Sequence, residues 1–384
     1  MRGEGAVGTG DDALWSKWEA ARWGYVEDGF VEAMAAGGGD GGGSRKRCGE
    51  ERRLRPDGRK SGADVWRRIH PDPIMHRGTY ARITAIRRLC EWFLWGEIDA
   101  ELHPLNVDGR CRPPRRRIVS FGAGLDTLPL VLLTANRQRS ERREGAAQVE
   151  FIELDVAEVV ADKARRIVSN AMLGDAIQCD TANGDEPSSP SSIALSTDGY
   201  KLIAADLRDT SSLRDAMAAA GVGGDARDQD VPTLFLLECV LVYLTPEVCE
   251  QLLRFLASLG LRRVAYVRYD PLGLRDAFGS QMVRNLEERG LPLRGLSAAP
   301  SVEHLVQQAQ QVVRAASVSA TVHATGLDMW EVYHALMQDT AERKRVESLE
   351  WLDEIEQFAL LMRHYALVWA TGEGVPRLFL TPVR

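Results

Sequence analysis

Five short apolar runs, interleaved with helical patterns, restrict this 384-residue chain to one class of architecture. They are RRRIVSFG (115–122), QVEFIELD (148–155), YKLIAADL (200–207), PTLFLLECV (232–240) and RRVAYVRYD (262–270). Each has the length and apolar content of a buried strand. VAEVVADKARRIVSN (156–170) follows the second run as a helix. After the fourth, Thr245-Pro246-Glu247 opens another, with a Thr cap, Pro at the first helical position and an acid in the first turn. Strands alternating with helices predict an α/β fold with a doubly wound, mostly parallel sheet. LMRHYALVWAT (361–371) is expected to return as an inner strand, with Arg363 and His364 before it as helix-end cations.

In open sheets of this kind, ligands bind beyond the carboxyl ends of the strands. Four features map to that edge. SFGAGLDT (120–127) supplies Gly122 and Gly124, which let backbone approach a ligand closely, although the full G-x-G-x-x-G is broken by Thr127. Asp155 ends the second run, placed to accept from two ribose hydroxyls or to cap the helix at Val156. Asp206 ends the third and Glu238 falls at the end of the fourth, inside an apolar stretch where a carboxylate needs a partner.

Three acids at one edge suit no phosphate-rich ligand, and no G-x-x-x-x-G-K-[ST] occurs. They suit a positively charged nucleoside, and S-adenosylmethionine carries a ribose, an ammonium, a sulfonium and one carboxylate. Arg82 and Lys17 are the cations available for that carboxylate. TYARITAIRRLCEWFLW (79–95) has a helical period with Ile83, Ile86, Leu89, Cys90 and Phe93 on one face, and Arg82 projects on or beside it. An arginine there needs an anion, whether in an internal ion pair or in a ligand.

Composition narrows the classes further. A net charge of -7 does not favour general nucleic-acid binding. No apolar run reaches the ~18–20 residues of a membrane span, and the acidic N-terminus MRGEGAVGTGDDALW does not read as a secretory signal. The six cysteines (Cys48, Cys90, Cys111, Cys179, Cys239 and Cys249) form no C-x-x-C pair, which predicts no metal framework and a reducing, cytoplasmic location. A Gly- and Arg-rich tract at 35–68 reads as a disordered insertion after an N-terminal helical segment, 1–34. The catalytic domain is then 69–384, interrupted by a polar Ser/Pro loop at 180–199. Nothing demands an oligomer, so a monomer is expected.

At this point the sequence resembles the leucine carboxyl methyltransferases. The matching stretches are RGTYARI (77–83), FGAGLDT (121–127), ADLRD (205–209), LLECVLVYLTPE (236–247), RDAFGSQMVRNLEERG (275–290) and ESLEWLDEIEQFALLMRHYALVWAT (347–371), with a fainter LWSKWEAARWGYVEDGF (14–30). The resemblance implies a class I S-adenosylmethionine-dependent methyltransferase (Rossmann-like) fold with added N-terminal helices and a lid. It implies cofactor contacts at Lys17, Arg82, Gly122, Asp155, Asp206, Leu207 and Glu238. It implies methyl-esterification of the C-terminal leucine of the type 2A protein phosphatase catalytic subunit, bound through its tail and folded surface. Residues 291–325 depart from the family pattern, which leaves tail recognition open there.

A chain-terminal carboxyl has a pKa of ~3.3–3.7, so the nucleophile is already an anion and needs no general base. In-line transfer from the sulfonium then rests on alignment and a dry site. Arg77, with a fork of donors, and Tyr243, just past the fourth strand, are the candidates to orient the acceptor carboxylate. Tyr243 reads equally as a packed aromatic, and His76 reads as loop. The rival readings are a same-fold O-methyltransferase with another small-molecule or protein acceptor, and a non-catalytic binding protein.

Overall fold

A computed structural model describes residues 4–37, 73–97, 114–142, 147–179, 192–273, 276–317 and 321–382. Most of the Gly/Arg-rich tract, and residues 180–191 of the polar loop, lie outside them. Among the described residues, eight strands form one sheet: β1 (Arg115–Phe121), β2 (Gln148–Asp155), β3 (Ile193–Ser196), β4 (Tyr200–Ala204), β5 (Thr233–Glu238), β6 (Val264–Pro271), β7 (His323–Asp328) and β8 (Tyr365–Thr371). Their order is β3-β4-β2-β1-β5-β6-β8-β7. The five central strands, from β4 to β6, run parallel. As expected, β8 enters as an inner strand, antiparallel to both β6 and β7.

Side chains alternate between the faces, and both faces are covered. Ile118, Leu234, Leu236, Ala265 and Val267 pack on one side with the helix Pro73–Trp95 and the helix Glu4–Arg22. Val119, Phe121, Phe235, Leu237 and Val264 pack on the other with the helices Thr210–Ala220, Pro246–Ala257 and Val302–Ala316. Burial on two faces is why the central strands read as continuous apolar runs. Each fully buried large side chain contributes roughly 1.5–3 kcal/mol.

Three local readings change. The end of the polar loop is not all connection, because Ile193–Ser196 pairs antiparallel with β4 as a short edge strand. It is only four residues long, IALS, at the end of a polar stretch, and its residues are half-buried or exposed. The helix carrying Arg82 starts at Pro73, earlier than its apolar period shows, since proline suits a first helical turn. His76 therefore sits on that helix and not in a loop; it is 5% exposed, with Nδ1 2.6 Å from Glu350 Oε2. Thr245 does precede the helix Pro246–Ala257, but its side chain makes no capping bond to the backbone.

Among the described residues, no helix is long and apolar enough to cross a membrane.

Candidate active site

The turn after β1 is held in a shape that glycine alone adopts easily. Gly122 has φ +66 and Gly124 has φ +55. A Cβ on Gly122 would lie 2.8 Å from Val240 Cγ2, so backbone and β5 loop pack without space for a side chain. Asp155, at the end of β2, organises this turn. The Gly124 N–H donates to its Oδ2 at 2.7 Å, and the Val156 N–H donates to its Oδ1 at 2.7 Å. Burial pushes its carboxyl up, against those two N–H groups. It is therefore not the side-chain cap of the next helix, whose N-cap is Val156.

Glu238 ends β5 with Oε1 3.0 Å from Arg82 Nε, and the two side chains are 24% and 20% exposed. The contact is Coulombic, since Arg82 Nε has no hydrogen-bond partner in line. Burial pushes the Glu238 carboxyl up; Arg82 pulls it back and Asp126 adds to the rise. Immediately after, Cys239 adopts φ +53, a left-handed conformation worth roughly 1–3 kcal/mol of strain in a non-glycine residue. Its N–H donates to the Tyr269 carbonyl at 2.7 Å. The chain is thereby turned into the 3-10 segment Leu241–Tyr243.

That turn delivers Tyr243 to an aromatic corner. Tyr269 and Tyr365 stack with centroids 5.6 Å apart, and Arg82 Cζ lies 5.8 Å from the centre of the Tyr269 ring. Burial raises the Tyr243 phenol well above its ordinary value, and Cys239, Tyr365 and Asp270 add to the rise. At neutral pH it is a hydroxyl, able to donate.

The remaining expected residues are placed differently. Lys17 comes from the helix Glu4–Arg22 to the glycine turn, with Nζ 2.8 Å from Asp126 and 2.9 Å from Asp28. Burial would lower its pKa, but the two carboxylates overcome that and hold the ammonium charged. Its charge is committed to protein. Asp126, which sequence reasoning passed over although it lies within GLDT, also offers its carbonyl to Lys163 Nζ at 2.7 Å. Asp206 and Leu207 lie in the turn beyond β4, not within the strand. Asp206 takes a two-pronged contact from Arg208, Nε to Oδ1 at 2.8 Å and Nη2 to Oδ2 at 2.7 Å. That ion pair is legible in the sequence DLRD.

Arg77 is five residues before Arg82, about 140° away around the helix. It donates to Tyr333 Oη at 3.3 Å and to the Glu350 carbonyl at 2.8 Å. Those partners hold its guanidinium apart from the Arg82–Glu238 pair.

Glycine turn, strand-end acid, buried acid and phenol thus gather at one sheet edge. Residues 107–257 match the family model described as leucine carboxyl methyltransferase. The probable leucine carboxyl methyltransferase 1 of Caenorhabditis briggsae is 30% identical over 362 residues, 94% of this chain and 89% of that protein. The chain belongs to the leucine carboxyl methyltransferase family. The leucine carboxyl methyltransferase 1 homolog of Arabidopsis thaliana is 28% identical over 367 residues, 96% of this chain and 89% of that protein. A third relative, the human tRNA wybutosine-synthesizing protein 4, is 30% identical over 384 residues, 99% of this chain but 46% of that protein. Family membership makes the protein a methyltransferase. Its sheet, with β8 reversed between β6 and β7, is of the class I methyltransferase type.

Proposed function

We propose that the protein methylates the C-terminal leucine carboxylate of the type 2A protein phosphatase catalytic subunit, with S-adenosylmethionine as donor. One observation carries the donor. Glu238 is three-quarters buried, and the Arg82 Nε beside it at 3.0 Å is not in line to donate a hydrogen bond to its carboxylate. A carboxylate so placed is an acceptor for a cationic ligand. The residues fit that cofactor. The backbone of Gly122 and Gly124 would cradle it, Asp155 would hold the ribose hydroxyls, Glu238 the positive end and Arg82 the carboxylate. Asp206 and Leu207 border the adenine side; Asp206 accepts there only by sharing or releasing Arg208. Lys17 acts through Asp126, fixing the glycine turn. When bound, the cofactor supplies an electrophilic methyl for in-line transfer.

The chain's own contribution is placement. A C-terminal carboxyl (pKa ~3.3–3.7) is ionised at neutral pH, so no base is required. The two histidines buried among the described residues fit that view: His76 is engaged with Glu350 and His364 with Asp276 at 3.0 Å. Tyr243 donates to the acceptor carboxylate and orients it. Arg82 and Glu238 are nearly neutral as a pair, so they do not over-stabilise an anion whose charge disappears during transfer.

The test uses labelled S-adenosylmethionine and phosphatase core dimer with or without its terminal leucine. Base-labile label that requires the leucine is expected; equal label on the truncated form would refute the assignment. The similarity to the wybutosine protein keeps a tRNA acceptor as second reading, and label entering RNA in a parallel incubation would establish it. The net charge of -7 weighs against that reading.

A further inference from the structure

We infer that the surface around Trp351 docks the folded body of the protein acceptor, apart from the tail that enters the site; this rests on the protein-acceptor reading above. Trp351 is 84% exposed, while the next most exposed large apolar side chain among the described residues, Met172, is 46% exposed. Tryptophan is seldom left in water, and it is the residue most enriched in binding hot spots.

The ring is held out by anchored neighbours. On one side, the Glu350 carbonyl accepts from Arg77 at 2.8 Å, and Glu350 Oε2 lies 2.6 Å from His76 Nδ1. On the other, Leu352 is buried. The apolar surface extends from there. Trp23, 39% exposed, lies over His76 with ring centroids 5.8 Å apart, and Ile355 is 45% exposed at the start of the next helix. His76 and Arg82 share one helix, six residues apart, which is about 9 Å along its axis. The patch therefore borders the site without belonging to it.

Its charge selects the occupant. ESLEWLDEIE (347–356) holds five acids and no cation. Glu347, Asp353 and Glu356, within five residues of Trp351 in the chain, are exposed. An acidic rim about an apolar centre fits a protein surface with cationic groups around an apolar recess. The same rim repels RNA phosphates and anionic lipid. In a two-fold pairing of copies it would face itself, like charge on like.

The experiment measures binding of the phosphatase core dimer lacking its terminal leucine, which cannot be methylated at that position. The comparison is wild type against Trp351→Ala and Glu347→Lys/Asp353→Lys, by interferometry at two salt concentrations. Wild type is expected to bind, and both variants at least tenfold more weakly. The variants should keep wild-type affinity for S-adenosylhomocysteine and wild-type kcat on a tail peptide. Equal binding by Trp351→Ala, or no binding by wild type, overturns the docking surface. Binding without methylation of the intact dimer overturns the acceptor assignment and leaves the surface standing. Tenfold loss of tRNA binding, or of self-association, in Trp351→Ala would assign the patch to that occupant and overturn the proposal.

Discussion

Glu238 and Arg82 meet at 3.0 Å between the end of β5 and the helix Pro73–Trp95, each about one-fifth to one-quarter exposed. Burial works against the charge on each. For Arg82 the Glu238 carboxylate, with a smaller contribution from Tyr269, wins and holds the guanidinium charged. Glu238→Gln removes the anion while keeping the shape. It should weaken S-adenosylmethionine about tenfold more than the neutral-sulfur product S-adenosylhomocysteine, a difference of about 1.4 kcal/mol. Calorimetry with both ligands decides it; equal losses would remove Glu238 from the positive end of the site.

Asp155→Ala strips the acceptor from the Gly124 and Val156 N–H groups. Charged hydrogen bonds of this kind contribute about 1.5–3 kcal/mol each. The variant should lose cofactor affinity by two orders of magnitude or more while remaining folded by circular dichroism. Unchanged affinity would take Asp155 out of the site.

Gly122→Ala meets two obstacles, a φ of +66 and the 2.8 Å approach to Val240. The left-handed backbone alone costs roughly 1–2 kcal/mol in a residue with a Cβ. Lower thermal stability and loss of cofactor binding are expected together. Adding Val240→Ala should recover part of the stability but not all of it, because the backbone term remains. Full recovery would mean that only the side-chain contact matters.

At the opposite edge of the sheet, Arg117 Nε donates to Glu150 at 2.8 Å, and Nη1 donates to Asp228 at 3.1 Å. Burial raises both carboxyl pKa values, but Arg117 outweighs it and leaves them below the ordinary range. A depressed acid stabilises the fold above its unfolded pKa of about 4 and loses that stabilisation as pH falls through the folded value. Melts between pH 7 and pH 3 should show an acid-side decline. Arg117→Met should flatten that decline and cost less than the about 3–5 kcal/mol of a fully stranded buried charge, because Lys201 stays with Glu150 and the Gly223 N–H with Asp228. A variant as stable as wild type at pH 7 would contradict the pairing.

The reading of strands succeeded where both faces are buried. Runs such as PTLFLLECV have no amphipathic ambiguity once flanked by turns, and the glycine turn with Asp155 and Glu238 follows from the strand ends alone. It failed where burial is partial or partners are distant. β3 is four residues, IALS, too short to show a strand pattern beside a polar loop, and the first helical turn around His76 has no period to detect. The sequence offers Lys17 as a cation for the cofactor carboxylate, but its capture by Asp28 and Asp126 spans 109 residues in the second case and follows from packing alone. Arg77 illustrates the reverse error: its donors suit a carboxylate, yet helical geometry aims them at Tyr333 and Glu350.

The reversal of β8 between β6 and β7 also dictates an order of assembly. A ribosome emits residues 365–371 after every other strand among the described residues, so the nascent sheet carries an open slot flanked by two unpaired edges until that moment. Premature stops upstream of Thr371 should therefore yield sticky, degraded fragments and no smaller working enzyme.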